Sequence, residues 1–112
     1  MQEPMPILRG NLEVLVLKAL TWSPMHGYAI TDWLEQHAGG NLELLDSALY
    51  QALYRLEGRR LIKATWGITE NNRRARFYDL TDAGRAALRS ETARWNRYAK
   101  TVSAILAAPA TE

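Results

Sequence analysis

Three arginines are crowded into the stretch NNRRARFYDLT, which covers residues 71 to 81. Arg73, Arg74 and Arg76 would repel one another in a dry interior, so such a cluster needs either solvent or an anionic partner. A guanidinium group carries paired N–H donors in a geometry that matches the oxygens of a phosphate. These residues are therefore candidates for phosphate binding, and a solvated charged surface is the alternative.

The net charge of the chain is +2, but it is unevenly distributed. Residues 55 to 78 carry seven basic and two acidic side chains, a net +5, so the remaining residues sum to −3. A basic segment on an otherwise acidic chain is typical of proteins that bind polyanions such as nucleic acid. A solvated basic surface would give the same pattern, so charge alone leaves both interpretations open.

Catalytic and metal-binding patterns find little support in the sequence. His26 and His37 stand eleven residues apart, and no third ligand follows at the spacing of a metal site. Ser23, His26 and Asp32 are close along the chain, but their spacing does not define a catalytic triad. The sequence contains no cysteine and no glycine-rich phosphate loop. We therefore expect a protein that is not an enzyme and that has no metal or cofactor.

The length of 112 residues suits one domain with one hydrophobic core. No apolar run approaches the roughly 20 residues of a membrane-spanning helix. The first residues, MQEPMPILRG, lack the basic start and the long apolar stretch of a signal peptide. We expect a cytoplasmic protein that does not bind a membrane.

Apolar periodicity predicts two helices before the basic segment. The first covers residues 8 to 21, where five apolar residues recur at helical spacing. These residues are Leu8, Leu12, Leu15, Val16 and Leu20. Ser23 and Pro24 are a favourable cap and first turn for a second helix, which runs through YAITDWLEQH. Ile30, Trp33 and Leu34 form its apolar side, and AGGN ends it.

A third helix is predicted within LELLDSALYQALYRLEGRRLI, with Asp46 or Ser47 accepting hydrogen bonds from its first free amides. Leu49, Leu53 and Leu56 follow the spacing i, i+4 and i+7 and would form its buried stripe. Four residues that can hydrogen-bond outward lie off this stripe. They are Tyr50, Gln51, Tyr54 and Arg55.

Two short strands, LIKATWGI and RRARFYDL, are predicted on either side of a turn at Asn71 and Asn72. Four residues of the second strand share one face because side chains alternate along a strand. They are Arg74, Arg76, Tyr78 and Leu80. The tip of the hairpin is therefore expected to be basic and accessible, and its base, with Tyr78 and Leu80, to belong to the core.

Thr81 and Asp82 open a last helix that is predicted to end at about residue 107. Two sets of its residues recur every seven positions. They are Leu88, Trp95 and Val102, and Thr92, Ala99 and Leu106. A chain of this length has no core left to cover such a stripe, so we expect the helix to pack on a second copy of the chain.

The order helix, helix, helix, two-stranded wing and long helix is that of a winged helix-turn-helix with a dimerisation arm. The chain resembles the PadR-like transcriptional regulators in PMHGYAI, in ALYQALYRLEGRRLI and in RARFYDLTDAGR. The resemblance covers roughly residues 8 to 106, and the single C-terminal helix is similar to that of the smaller subfamily. It implies a mainly α fold with a small β-hairpin, a DNA-binding domain over residues 1–80 and a dimerisation helix over residues 81–108.

The resemblance further implies a homodimer that binds double-stranded operator DNA and represses transcription. The third helix, with its four outward polar residues, looks like the recognition helix, and the hairpin with its three arginines looks like the wing. The chain departs from the family at Arg60, where the family often has glycine, whereas this chain has Gly58 two places earlier. Glycine there would permit a left-handed cap, so the resemblance leaves the end of the third helix undefined.

Each assignment has an alternative. The wing arginines would contact phosphates, with entry into the minor groove, or would only be solvated. The outward residues of the third helix would contact the DNA backbone and base edges, or would pack against the wing. Trp95 would pack in the dimer, with Leu88, Val102 and Leu106, or would form a wall for a small aromatic effector, as in drug-responsive members of the family. The other tryptophans are expected in the core or at junctions. They are Trp22, Trp33 and Trp66.

Two classes of function remain. The leading one is a dimeric DNA-binding repressor that recognises an inverted repeat. The alternative is a winged-helix adaptor that docks an acidic protein through its basic surface. Salt-dependent binding to duplex DNA, with a preference for one dyad sequence, separates the two classes.

Overall fold

The structure, a computed structural model, describes residues 3–8 and 10–110. Within these residues the chain forms four helices and five strands. In chain order they are β1 (Met5–Pro6), α1 (Leu12–Ala19), β2 (Met25–His26), α2 (Gly27–Ala38), β3 (Leu42–Glu43), α3 (Asp46–Gly58), β4 (Ile62–Ile68), β5 (Arg74–Leu80) and α4 (Asp82–Leu106). The prediction of a mainly α fold with a small β-hairpin is confirmed. None of the helices in the described residues is long and apolar enough to cross a membrane.

The hairpin of β4 and β5 is antiparallel, from Ile62 opposite Leu80 at its base to Ile68 opposite Arg74 at its tip. In the turn, the Asn72 N–H donates to the Thr69 carbonyl (2.9 Å), and Asn72 has a left-handed φ of 60°, which asparagine tolerates. The predicted hairpin and its turn are confirmed. β2 adds to the free edge of β5, and β1 pairs in parallel with β3 in a separate two-stranded sheet.

The core is enclosed by the first three helices and the base of the hairpin. Leu49, Leu53 and Leu56 of α3 are buried, as their spacing predicts. Tyr78 and Leu80 of β5 are also buried, as expected. The other buried apolar residues are Leu12, Val16, Leu17, Ala19, Leu20, Ile30, Ala52, Leu61 and Ile62. The wing is therefore anchored to the helices by its base, and its outer half extends beyond the core.

The first helix is shorter than predicted. It begins at Leu12, because Gly10 has a φ of +87° and the Asn11 N–H closes a turn on the Leu8 carbonyl (3.0 Å). Leu8 therefore precedes the helix and is exposed, so its assignment to the buried stripe is wrong. Residue 9 of the predicted helix lies outside the described residues.

The second helix starts later than predicted. Ser23 and Pro24 lie in the loop after α1, and the next two residues form β2 against the wing. The helix begins at Gly27, where Nδ1 of His26 accepts a hydrogen bond from the Ala29 N–H (3.3 Å). The assignment of Ser23 and Pro24 as cap and first turn is wrong, because pairing with β5 keeps the chain extended up to the start of the helix.

The start of α3 also differs from the prediction. Leu45 occupies the N-cap position, and no side chain of the described residues caps the helix. Asp46 is the first helical residue, so the prediction that Asp46 or Ser47 caps the helix is wrong. The Asp46 carboxylate remains in the first turn, where the partial positive charge of the helix N-terminus stabilises it.

The tryptophans follow the prediction only in part. Trp33 of α2 packs against the core, as expected. Trp22 is 70% exposed because it lies in the loop between α1 and β2. Trp66 is 61% exposed because it lies in the outer half of β4. The expectation of a core or junction position is wrong for Trp22 and Trp66.

The helix α4 begins at Asp82 with Thr81 as its cap, as predicted. Oγ1 of Thr81 accepts a hydrogen bond from the Gly84 N–H (3.0 Å) and donates one to the Arg60 carbonyl (2.7 Å). The Thr81 N–H donates to the Leu61 carbonyl (3.1 Å). Gly84 is buried, and a Cβ built on it would lie 1.9 Å from the Leu61 carbonyl oxygen. The end of α3, the base of the wing and the start of α4 therefore meet at one point.

Substituting Gly84 with alanine should destabilise the fold, because the methyl group would overlap the Leu61 backbone carbonyl, which accepts a hydrogen bond from the Thr81 N–H. Overpacking of this kind costs about 1–3 kcal/mol, so the Tm from circular dichroism should fall by several degrees. Gly58→Ala is the matched control, because a Cβ at Gly58 would meet open space within α3. Alanine there should raise the Tm through its better helix propensity. A similar shift in both variants would contradict the close approach at Gly84.

Candidate nucleic-acid interface

The outward face of α3 carries the four polar residues that the sequence placed there. Tyr50, Gln51, Tyr54 and Arg55 are all exposed, and the Tyr54 side chain is 80% exposed. Their separation from the buried leucine stripe is as predicted. The helix therefore presents two hydroxyl groups, one amide and one guanidinium to solvent, and each of these groups can hydrogen-bond to an external partner.

Tyr50 contacts the start of α2. A Cβ built on Gly27, the first residue of α2, would lie 2.8 Å from the Tyr50 hydroxyl oxygen and 3.1 Å from two of its ring carbons. The absence of a side chain at Gly27 therefore lets the start of α2 approach the ring of Tyr50. This contact holds α2 and α3 in the close arrangement of a helix-turn-helix, and it leaves the Tyr50 hydroxyl near the first turn of α2.

Two of the candidate arginines already have carboxylate partners. Arg55 Nε donates to Oε1 of Glu13 on α1 (2.5 Å), and Nη1 of Arg59 lies 3.5 Å from Oε2 of the same glutamate. Nη2 of Arg76 lies 2.7 Å from Oε2 of Glu57, which links the wing to α3. The arginine side chains in these pairs are roughly half exposed, and such pairs contribute about 1 kcal/mol or less. The pairs position the guanidinium groups, and a phosphate could replace the carboxylate at small cost.

The tip of the wing is basic and exposed, as predicted. Arg73 and Arg74 are both exposed; Arg74 is opposite Ile68 in the last pair of the two strands, and Arg73 precedes it in the turn. The Arg73 N–H donates to Oγ1 of Thr69 (3.1 Å), and the Thr69 N–H donates back to the Arg73 carbonyl (2.8 Å). These two hydrogen bonds fix the backbone that carries the arginines.

The sequence reasoning missed Trp66, which lies beside these arginines. Trp66 is directly opposite Arg76 in the hairpin, and Ile68 is opposite Arg74, so all four side chains share one face. Cζ of Arg74 lies 4.6 Å from the centroid of the Trp66 ring, in a cation–π contact. Ile62, Trp66 and Ile68 are separated by even numbers of residues, so they share one face of β4. This spacing could have predicted that the Trp66 ring lies on the same face as the arginines.

Tyr78 belongs to the core, as predicted. Burial raises the pKa of its phenol, and the Arg76 guanidinium lowers that pKa by a smaller amount, while Glu57 and Tyr50 add to the rise. The phenol therefore stays neutral at physiological pH. Cζ of Arg76 lies over the Tyr78 ring, 5.8 Å from its centre, so the ring contacts the guanidinium group.

The end of α3 is closed by Arg60, which has a φ of +61°. The Leu61 N–H donates to the Leu56 carbonyl (3.0 Å), and the Arg60 N–H donates to the Glu57 carbonyl (3.0 Å). These bonds form a Schellman motif in which the left-handed position is occupied by arginine instead of glycine. The departure from the family at this position therefore changes the residue but keeps the backbone geometry of a left-handed cap.

The residues predicted for dimerisation fall into two groups. Leu88 packs against the core of its own chain, together with Ala87, so the first turns of α4 are already covered. Trp95 is 44% exposed and Leu106 is 80% exposed, and Val102 is partly exposed. The centroids of the Trp95 and Tyr98 rings lie 6.3 Å apart. The apolar stripe that faces solvent therefore begins after Leu88, and the expectation that the whole helix lacks a core to pack on is wrong for its first turns.

The histidines have structural roles. His26 caps α2, and its ring stands edge-on to Phe77 at a centroid distance of 5.3 Å. The His37 ring stacks on Trp33 (3.8 Å), and its Nδ1 hydrogen-bonds to the Trp33 carbonyl (2.8 Å). Over residues 3–8 and 10–110, no three acidic, histidine or cysteine side chains lie close enough to hold a metal ion.

Comparison with known proteins gives a consistent result. Residues 16–90 match the model of the transcriptional regulator PadR-like family. The structure is similar to that of a PadR family transcriptional regulator from Eggerthella lenta, with a TM-score of 0.77 and 30% identity, over 90% of this chain and 86% of that one. It is also similar to a structure from Streptococcus mutans, with a TM-score of 0.81 and 24% identity, over 100% and 99% of the two chains.

One sequence relative is much longer than this chain. A 37.1 kDa protein of a Streptomyces fradiae transposon is 42% identical over 82 residues, which are 73% of this chain and 22% of that protein. The match therefore covers one part of a larger protein. The family match and the structural similarities confirm the predicted resemblance and the winged-helix fold.

Replacing Arg60 with glycine should stabilise the fold. A residue with a Cβ loses about 1–2 kcal/mol in the left-handed conformation, and glycine gives back part of this in backbone entropy, so we expect a gain of about 0.5–1 kcal/mol in urea unfolding. Arg60→Ala is the matched control, because it removes the same charge and retains the Cβ. Equal stabilisation by both substitutions would show that the charge of Arg60, and not its backbone, limits stability.

Proposed function

Because the chain belongs to the PadR-like family of transcriptional regulators, we propose that it is a repressor that binds an inverted-repeat DNA operator as a homodimer. A DNA-binding unit over residues 1–80 reads each half-site, and a dimerisation helix over residues 81–108 joins the two subunits. The family consists of transcriptional regulators, so the prediction that the chain is not an enzyme is confirmed. The site of action is the cytoplasm.

The observation that carries this proposal is an exposed polar helix face beside a basic hairpin. The face of α3 offers Gln51 and Arg55, and the ion pair between Glu57 and Arg76 fixes the wing next to that helix. An α-helix fits the major groove of B-form DNA. There Gln51 can pair with the edge of an adenine, and Arg55 with guanine or a phosphate.

The remaining candidates hold the helix in register. The hydroxyl groups of Tyr50 and Tyr54 are suited to phosphate oxygens, which fix orientation without reading sequence. Arg73, Arg74 and Arg76 contact the backbone beside the minor groove that adjoins the α3 site. Arg55 and Arg76 are each paired with a carboxylate through one nitrogen in the free protein, so their other N–H donors can contact a phosphate or a base when DNA binds.

The exposed apolar stripe of α4 supports the proposed dimer. Leu88 packs on the core of its own subunit. One turn or more further along the helix, the proposed dimer seam is formed by Trp95, Val102 and Leu106. A large exposed apolar stripe on a projecting helix is typical of a protein interface. Two subunits related by a twofold axis place their α3 helices in successive major grooves, about 34 Å apart, and so read an inverted repeat.

Trp95 is also the proposed contact for an aromatic effector. Its ring and that of Tyr98 are both exposed and lie 6.3 Å apart between centroids. In a dimer each ring has a counterpart from the second subunit, and flat aromatic walls favour the stacking of a planar ligand. A ligand bound there would shift the angle between the subunits and thereby the distance between the α3 helices.

The substitution Gln51→Ala tests the reading of sequence by α3. Binding to the preferred dyad, selected from a random duplex pool, should weaken by about 1–3 kcal/mol, whereas binding to random DNA should change much less. Gln36→Ala is the matched control, because Gln36 is an exposed glutamine on α2 whose side chain hydrogen-bonds to Asp32 of the same helix. Fluorescence anisotropy at two salt concentrations would measure both affinities.

Three outcomes separate the functions. Equal losses on both DNAs would assign Gln51 to positioning alone. Salt-independent binding, or no preference for any dyad, would contradict the DNA-binding repressor. Retained affinity for DNA after substitution of Gln51, Tyr50 and Tyr54 together would mean that this face does not contact DNA, and the winged-helix adaptor that docks an acidic protein would then be favoured.

The substitution Val102→Glu tests the dimer. A carboxylate in the apolar seam would be desolvated without a partner, so the sedimentation equilibrium should shift toward monomer. Ala104→Glu is the matched control, because two residues further along the helix the side chain points to nearly the opposite side, and Ala104 is exposed. An unchanged dimer in Val102→Glu, or equal dissociation in both variants, would reject this interface.

A further inference from the structure

The wing carries two large apolar side chains on its exposed outer half. Trp66 and Ile68 are 61% and 63% exposed, and both lie beyond the part of the hairpin that is anchored in the core. Apolar surface of this size is unfavourable in water. The two side chains share their face with Arg74 and Arg76, so the exposed apolar surface is placed within the basic cluster.

The two arginines on this face are held in different ways. Arg76 is paired with the carboxylate of Glu57, whereas Arg74 lies over the indole ring of Trp66. A carboxylate partner neutralises the charge and occupies N–H donors. A ring partner fixes the plane of the guanidinium group but leaves its charge and its N–H edge available. Arg74 is therefore oriented in the free protein and still able to bind an acceptor.

Resting on the proposed function, we infer that Trp66 positions Arg74 to bind in a narrow minor groove beside each half-site, so that the regulator prefers A·T-rich flanks. With α3 in the major groove, a hairpin fixed beside that helix reaches the adjacent minor groove. A·T tracts narrow this groove and strengthen its negative potential, which attracts an inserted arginine. The exposed Trp66 and Ile68 side chains then contact the apolar sugar edges that line the groove.

This inference adds a source of specificity that α3 does not supply. The minor groove cannot distinguish A·T from T·A, but it does distinguish both from G·C through the guanine N2 amino group and through groove width. Trp66 acts through Arg74 and is therefore a positioning residue. The preference that it creates concerns composition at the flanks and not a defined base sequence.

The test uses one dyad with three flanks at the wing position. The first flank is A·T-rich, the second is G·C-rich, and the third has inosine in place of guanine, which removes the minor-groove amino group but keeps the major-groove atoms of G·C. Wild-type protein should bind the A·T and inosine flanks with similar affinity, and the G·C flank several-fold more weakly. In Trp66→Leu the preference should fall by about two- to fivefold, the value of an exposed cation–π contact.

Matched variants separate orientation from charge and from packing. Trp66→Tyr keeps an aromatic face and should retain most of the preference. Arg74→Lys keeps the charge but not the planar group and should lose it, whereas Arg89→Lys, at an exposed arginine of α4 outside the wing, should not. Thermal melting of Trp66→Leu should stay close to that of wild type, because the ring is largely exposed.

The outcomes distinguish this inference from the proposed function. If wild-type protein binds the dyad without any flank preference, the inference is wrong and the repressor remains. If the protein binds the inosine flank as weakly as the G·C flank, the preference does not come from minor-groove contacts and the inference is also wrong. If Trp66→Leu weakens all three flanks equally, Trp66 only packs against DNA. Failure to bind any dyad would instead reject the proposed function itself.

Discussion

The carbonyl group of Leu61 is the constraint on which the arrangement of the molecule depends. It accepts the Thr81 N–H and lies so close to Gly84 that no side chain fits between them. The residue before it, Arg60, has the left-handed conformation that turns the chain from α3 into the wing. The directions of α3, the wing and α4 are thus fixed by backbone groups within one small region. The proposed DNA contacts come from the first two elements and the proposed dimer from the third, so this region sets how far apart two half-sites can be.

The charges on the candidate interface are organised by two carboxylates. Glu13 of α1 pairs with Arg55 of α3 and with Arg59 at the end of that helix. Glu57 of α3 pairs with Arg76 of the wing. Exposed pairs of this kind contribute little to the free energy of unfolding. Their main effect is geometric, because they restrict the conformations of flexible arginine side chains on the exposed surface. In the proposed complex, side chains restricted in this way would lose less entropy on binding.

The sequence was sufficient for features that depend on local periodicity. The leucine stripe of α3, the polar face opposite it, the hairpin and the Thr81 cap all follow from residue types a few positions apart. The later start of α2 does not, because β2 has only two residues and its partner lies about fifty positions away in β5. The pair of Arg55 with Glu13 likewise depends on how α1 packs on α3. The left-handed conformation of Arg60 could not be predicted from the sequence either, because arginine alone disfavours it and the junction with the wing and α4 stabilises it.

The first turns of α4 pack on the core, and residues 89–106 extend for about 27 Å beyond them. Among residues 3–8 and 10–110, this second part of the helix adds no side chain to the core. In proteins, most of the stability of a helix comes from the packing of its apolar face against other elements. In the proposed dimer the second subunit would supply this packing, so a chain without a partner would expose a segment that is more open to fraying and proteolysis. Unpaired subunits would be degraded faster than assembled ones, so the same helix that joins the subunits would couple the lifetime of the protein to its abundance in the cell.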